Sequence, residues 1–456
     1  MKIVNPATGV LIEEMIVDSK ESLKNKFTRL QQGRRAWRDR SLEGRMKCIH
    51  QYKQLLSENI ESLAKLLSDE MGKPLQEAKN EIKGACYRIK YFLENSAQWL
   101  TPQTVNNDGT TKEILTYEPL GVIANISAWN YPYLIGVNVH IPALISGNAV
   151  LYKPSELTTL TGLRMQALFY EAGVPEDVFI TAIGDGALGE AILELPIKGL
   201  FFTGSYKTGC HIQACLASRL IPVSVELGGK DPLYVMDDVK DISQSARSAV
   251  EGAFYNNGQS CCSVERIYVH DSIYDQFVND FIAAVKLLKV GDPLTPDINQ
   301  GALARPEQIP FLLAQIEDAV SKGAQIKVGG KSVPGKGLFF EPTVLLNVNH
   351  SMQVMTEETF GPVVGIQRVM NDEEALKWMN DTEYGLTASV FSANADRANH
   401  ILEALEVGNA YYNCSDRVSP YLPWAGQRHS GLGATLGYLG ILAFVRPKGW
   451  HCRSLV

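Results

Sequence analysis

The chain has 456 residues, a formal net charge of −7 at pH 7 and 45% hydrophobic residues. That length exceeds one simple core, so two or three domains are expected, and an acidic balance without a long basic run argues against a nucleic-acid partner. No stretch reaches the ~20 apolar residues that span a bilayer, and the start, Met1-Lys2-Ile3-Val4-Asn5-Pro6, has no apolar signal core. The eight cysteines make no paired CxxC pattern, so reduced thiols, a cytoplasmic location and no bound metal are expected.

The first hundred residues read as helices. Ser41 can cap a helix whose apolar residues Ile49, Leu55, Leu56, Ile60, Leu63 and Leu67 recur near helical spacing, with Gly72 and Pro74 as its stop. A second helical stretch carries Ile82, Tyr87, Ile89, Phe92 and Leu93. From Gly121 the texture changes to short β-branched runs at 121–127, 149–153, 178–183, 199–203 and 222–226, with helices at 134–144, 160–172 and 207–220 between them. Such alternation specifies a parallel sheet covered by helices on both faces. After Lys230 it resumes at 233–236, 266–270, 363–369, 387–391 and 409–413, which reads as a second α/β unit.

Two residues carry the clearest chemistry. Cys261 lies in Asn256-Asn257-Gly258-Gln259-Ser260-Cys261-Cys262, and Glu226 in Val225-Glu226-Leu227-Gly228-Gly229-Lys230. A thiol and a carboxylate set among glycines, which let backbone approach a ligand closely, point to covalent catalysis. The nearest histidine in sequence is His270, a spacing compatible with a carboxylate base and leaving a histidine from a distant segment as the alternative. Cys262 is the rival nucleophile.

Gly184-Asp185-Gly186-Ala187-Leu188-Gly189 matches GxGxxG after an expected strand. The dinucleotide fingerprint also needs an acid about twenty residues on. After Glu194 there is none until Glu226, so the spacing fails and a glycine-rich turn is the simpler reading.

With Trp129-Asn130-Tyr131-Pro132 and Glu358-Thr359-Phe360-Gly361-Pro362 added to these motifs, the chain resembles the aldehyde dehydrogenase superfamily from about residue 3 to about residue 440. The resemblance implies an α/β fold with a Rossmann-like cofactor domain (1–100 and 120–228), an α/β catalytic domain (229–440) and a small β-arm for oligomerisation (101–119 and 441–456). It implies a homodimer or homotetramer, with the arm paired to a neighbouring subunit's sheet. The matching positions give Cys261 as nucleophile, Glu226 as the base that activates water, and the side-chain amide of Asn130 with the Cys261 N–H as donors to the oxyanion. The cofactor would be held by Trp129, Lys153, Glu156, Gly204, Ser205, Leu227, Glu358 and Phe360. Within that set the helix opened by Gly204-Ser205 suits a pyrophosphate. Lys153 and Glu156 would hold the adenosine ribose.

Glu156 implies NAD rather than NADP, because like charges at ~4 Å repel by about 4 kcal/mol at an effective dielectric near 20. Acylating relatives, which pass the acyl group to coenzyme A, usually lack the glutamate found here as Glu226. A non-catalytic protein on the same scaffold is the other alternative, and the intact Cys261, Glu226, Asn130 and Lys153 argue against it. The substrate stays open. The segment around Asn413-Cys414-Ser415 and Pro423-Trp424 resembles the betaine aldehyde branch, in which Tyr131, Tyr255 and Trp424 could surround a cation. Alternatively these rings wall an apolar tunnel, or Arg417 and Arg428 hold a carboxylate such as that of succinic semialdehyde. One departure stands out: where most relatives carry Arg-Glu-Leu-Gly, this chain has Ala434-Thr435-Leu436-Gly437.

Overall fold

A computed structural model describes residues 1–454. The helical start consists of Lys20–Asp39, Leu42–Glu58, Ile60–Met71 and Leu75–Leu100. Ser41 caps as expected, its hydroxyl accepting from Gly44 N at 3.1 Å, and Gly72 ends the run at φ 81°. The single helix expected between them is two. Asn59 interrupts it by turning its side chain back onto Leu55 O at 2.8 Å. The apolar spacing reads straight through that break because both helices bury their apolar stripes in one core.

The first sheet has six strands in the order Gly431–Leu432, Val223–Glu226, Leu200–Thr203, Val122–Ile126, Ala149–Lys153 and Phe179–Thr181. All pairs are parallel except the one made by Gly431–Leu432. Val122–Ile126 and Ala149–Lys153 are buried at every residue, as helices on both faces require. Strand order reverses between Val122–Ile126 and Leu200–Thr203. At such a reversal the following loops diverge, and a crevice opens at the carboxyl ends of the strands. The GxGxxG segment turns off the edge strand Phe179–Thr181 into the helix Gly186–Glu194, with Asp185 capping Ala187 N at 2.9 Å.

The second sheet has seven strands in the order Gln325–Val328, Thr343–Leu346, Val363–Val369, Val264–His270, Asp231–Val235, Thr387–Phe391 and Asn409–Tyr412. The first two were not expected from sequence. Gln325–Val328 is an exposed edge whose polar-apolar alternation lasts only four residues, and Thr343–Leu346 is a buried run of four. A third sheet protrudes: Thr111–Pro119 pairs antiparallel with Val445–Arg453 along its whole length, and Gln103–Asn107 joins its other side. Residues 455 and 456 of the expected arm lie outside the described residues. Among the described residues no helix is long and apolar enough to cross a membrane.

Candidate active site

Two cavities meet at Cys261. One, of about 520 Å³, has Arg88, Tyr131, Glu226, Tyr255, Asp416 and Trp424 on its walls. The other, of about 470 Å³, is lined by Trp129, Gly204, Ser205, Leu227, Glu358 and Phe360. Cys261 and Thr203 stand on both walls, so the thiol-bearing residue borders both spaces.

The loop that presents Cys261 is held on several sides. Asn256 (φ 53°), Asn257 (φ 57°) and Gly258 (φ 65°) are left-handed in succession, a conformation that asparagine and glycine tolerate best. Asn257 exchanges hydrogen bonds with Gly301, donating to its carbonyl at 2.8 Å and accepting from its N–H at 2.9 Å. A Cβ at Gly258 would stand 2.3 Å from Gly361 O, so glycine is needed there for space as well as for φ. Cys262 is buried and donates to Asp416 Oδ1 at 2.9 Å. Its thiol is pushed well up by its contact with Cys261, by burial and by the Asp416 charge. Cys262 therefore stays protonated, while Cys261 lines both cavities.

The strand Val122–Ile126 ends at the crevice and delivers Trp129 and Asn130. Asn130 Nδ2 donates to Gln259 O at 3.1 Å. An amide has two N–H bonds, so one fixes the side chain and the other is left for a ligand in the cavity shared with Cys261. Beneath it lies a buried ion pair, Lys73 Nζ to Glu81 Oε2 at 2.5 Å. Lys73 also donates to Asn130 O at 2.7 Å, and Glu81 accepts from Tyr133 N at 2.8 Å, at the start of the helix Pro132–Ile145. The Lys73 ammonium stands 3.9 Å from the Tyr131 ring centroid.

Glu226 ends its own strand. Gly431–Leu432 pairs against that strand and brings Thr435 round to donate a hydrogen bond to Glu226 Oε1. Burial pushes the Glu226 acid up to about 7, while the Thr435 hydroxyl and the Arg88 charge pull it down. Arg88 is buried in the same cavity wall. Its Nη1 donates to Asn138 Oδ1 (2.9 Å) and Leu134 O (3.2 Å), and no carboxylate among the described residues pairs with it. Burial brings its pKa down to about 10, so it remains a cation at neutral pH. Tyr131, Tyr255 and Trp424 do surround this cavity. Of the two arginines singled out from sequence, Arg417 reaches the wall but is paired with Glu251 at 3.1 Å. Arg428 is off the wall, bound to Glu406 at 2.7 Å.

In the second cavity Gly204 and Ser205 line the wall, and Ser205 caps the helix Tyr206–Leu216 by accepting from Thr208 N. Glu358 Oε1 accepts from Gly229 N at 3.1 Å, and a Cβ at Gly228 would come within 2.3 Å of it. Burial, then the nearby Glu265, pushes the Glu358 acid up to about 8. Glu265 fixes the loop from below: it accepts from Thr359 N and Phe360 N, each at 2.8 Å, and pairs with Lys230 at 2.6 Å. The Phe360 ring meets Trp129 edge-on at 5.4 Å. Apolar rings on one wall and a helix N-terminus that begins just beyond Ser205 on another fit a nicotinamide joined to a pyrophosphate. Lys153 and Glu156 stand apart from this cavity, with Nζ and Oε2 3.9 Å from each other.

Sequence reasoning missed Lys73, Glu81, Arg88 and Asp416, and it marked Thr435 only as part of a departure from the family pattern, without its contact to Glu226. One signal was present: Glu81 and Arg88 are spaced to share the buried stripe of Ile82, Ala85, Ile89 and Phe92. A charge on an apolar face must find a buried partner or a function.

A family model described as the aldehyde dehydrogenase family matches residues 1–449. Among similar proteins, a succinate-semialdehyde dehydrogenase [NADP(+)] of Deinococcus radiodurans is 33% identical over 446 residues, covering 98% of this chain and 93% of the relative. A glutarate-semialdehyde dehydrogenase of Pseudomonas putida is also 33% identical, over 98% of this chain and 93% of its own length. The crystal structure of betaine aldehyde dehydrogenase from Staphylococcus aureus in complex with NAD+ superposes with a TM-score of 0.95 at 30% identity, covering 99% of this chain and 92% of that one.

Proposed function

The chain belongs to the aldehyde dehydrogenase family, and from that premise we propose which of its residues carry the oxidation and which aldehyde they select. The protein is an NAD(P)-dependent oxidoreductase that converts an aldehyde to a carboxylic acid through a cysteine thioester. The observation that carries our assignment is that Cys261 lies on both cavity walls.

Cys261 Sγ attacks the carbonyl carbon of an aldehyde in the 520 Å³ cavity. The unused N–H of Asn130 and the Cys261 backbone N–H receive the resulting oxyanion, and Lys73 holds the Asn130 backbone in register for this. The nicotinamide cofactor would be held by Trp129, Gly204, Ser205, Leu227, Glu358 and Phe360, with Lys153 and Glu156 left for its adenosine ribose, and would supply the acceptor for the hydride. Glu226 takes a proton from the water that hydrolyses the thioester. A pKa of about 7 leaves it a usable base at neutral pH.

The substrate we propose is an aldehyde with a distal carboxylate, of the succinic semialdehyde class. Arg88 supports this: it is a cation on the cavity wall with no carboxylate of its own. Lys73 already occupies a face of Tyr131, which weakens an aromatic cage for a cationic head group. The semialdehyde relatives are consistent with the same choice. We further propose NAD over NADP, from the Glu156 carboxylate at the adenosine end. Residues 1–100 and 120–228 would form the cofactor unit and 229–440 the catalytic unit. The protruding sheet of 101–119 and 441–456 would pair with a neighbouring subunit, burying Val105 and Trp450, which are exposed here.

An aldehyde panel (anionic, cationic and neutral) followed by NADH and NADPH absorbance tests these choices together. The anionic aldehyde should give the largest kcat/KM, with NAD preferred and no requirement for coenzyme A. Highest kcat/KM for betaine aldehyde would reject the carboxylate reading, and equal use of both cofactors would reject the role of Glu156.

A further inference from the structure

Away from the two cavities, two surface helices place three metal-ligating side chains together. His211 and Cys215 lie one turn apart on the helix Tyr206–Leu216, so they project from one face. Glu190 comes from the neighbouring helix Gly186–Glu194. Their ligand atoms all lie within 4.8 Å of one another. His211 Nε2 is 2.9 Å from Glu190 Oε2, and Cys215 Sγ is 3.5 Å from His211 Nε2.

We propose that Glu190, His211 and Cys215 form a binding site for a thiophilic divalent cation of the zinc class. A tetrahedral zinc, with bonds of about 2.0 Å to nitrogen and oxygen and about 2.3 Å to sulfur, needs ligand atoms roughly 3.3–3.6 Å apart. The sulfur–nitrogen separation meets that, and the nitrogen–oxygen pair needs to open by only a few tenths of an ångström. Imidazole nitrogen, thiolate sulfur and carboxylate oxygen are a donor set that zinc accepts and that magnesium and calcium, which favour oxygen ligands, do not. Three protein ligands leave the fourth position to water. On binding, Cys215 gives up its thiol proton to solvent and His211 ligates as neutral imidazole through Nε2. All three residues are exposed, so the ion reaches them without any opening of the fold.

The site also ties two helices together. One of them begins at Ser205, on the wall of the 470 Å³ cavity. Its sequence signal is faint. A single His-x-x-x-Cys spacing names two ligands, and the third arrives only because the helix that follows the GxGxxG turn packs alongside.

Zinc binding to the full-length reduced protein, in a Cys261→Ser background that removes the active-site thiol, tests the proposal by competition against a chromogenic chelator. The parent should bind zinc, and His211→Ala and Cys215→Ser should each bind one equivalent less. Cys210→Ser, at an exposed thiol outside the triad, should bind as the parent does. Cobalt(II) should show a thiolate-to-metal charge-transfer band that Cys215→Ser abolishes. Zinc should raise the parent's melting temperature and leave that of the two triad variants unchanged. Equal binding by the parent and both triad variants, or loss of the ion in Cys210→Ser instead, would overturn the site.

Discussion

The Thr435 hydroxyl donates a hydrogen bond to Glu226 Oε1 across 209 positions of the chain. This chain therefore places a neutral donor against its proposed base. A hydroxyl donor favours the charged form of the carboxylate, whereas a second acid would oppose it.

The pH profile should report that contact. Burial holds the Glu226 acid at about 7, and Thr435 works against burial. With hydrolysis limited by the ionised base, kcat rises as pH passes through that value. Thr435→Val removes a bond that lowers the pKa, so the acid limb should move up by roughly one pH unit. Thr435→Ser should restore it, and an unmoved limb in the valine variant would separate Thr435 from the base.

The two adjacent thiols should behave differently. Cys261→Ser should lower kcat by about a thousandfold or more, the scale on which removal of a nucleophile is felt. Cys262, whose thiol is engaged with Asp416, should tolerate serine with kcat within a few fold of the parent. Burst kinetics with the anionic aldehyde checks both variants.

Lys73→Met should act on stability before chemistry. It strands Glu81 in a site closed to solvent, a change that costs about 3–5 kcal/mol when one partner of a buried pair is removed. Replacing Glu81 as well should recover part of that loss in urea denaturation. It should not recover kcat, because the hydrogen bond from Lys73 to Asn130 O is still missing.

Arg88→Leu tests substrate choice. Hydrogen bonds to a charged group are worth about 1.5–3 kcal/mol, so kcat/KM for an anionic aldehyde should fall roughly 10- to 100-fold. A neutral aldehyde of similar length should lose much less, and only through the upward shift of the Glu226 acid that follows loss of the Arg88 charge. An equal loss for both would make Arg88 a structural residue held by Asn138 and Leu134.

Much of the fold was legible because it is local. The strands Ala149–Lys153, Val363–Val369 and Thr387–Phe391 fall where their β-branched runs predict. Residues 325–328 and 343–346 were not expected, since four residues, alternating on an exposed edge or apolar in a buried run, are too few to stand out as a strand. The break at Asn59 stayed hidden because apolar spacing reports the face a helix buries, not its continuity.

The sequence by itself determined the chemistry on offer: a cysteine and a glutamate in glycine-bearing segments, and an asparagine after a strand. Those features rest on sterics within a few residues, which a linear pattern can carry. Tertiary structure alone decided which cysteine meets both cavities, that Thr435 rests on Glu226, that Arg88 faces the substrate side and that Arg428 does not. Each of these depends on sheet pairing and helix packing between segments far apart in the chain, and burial then fixes which charges are left without a partner.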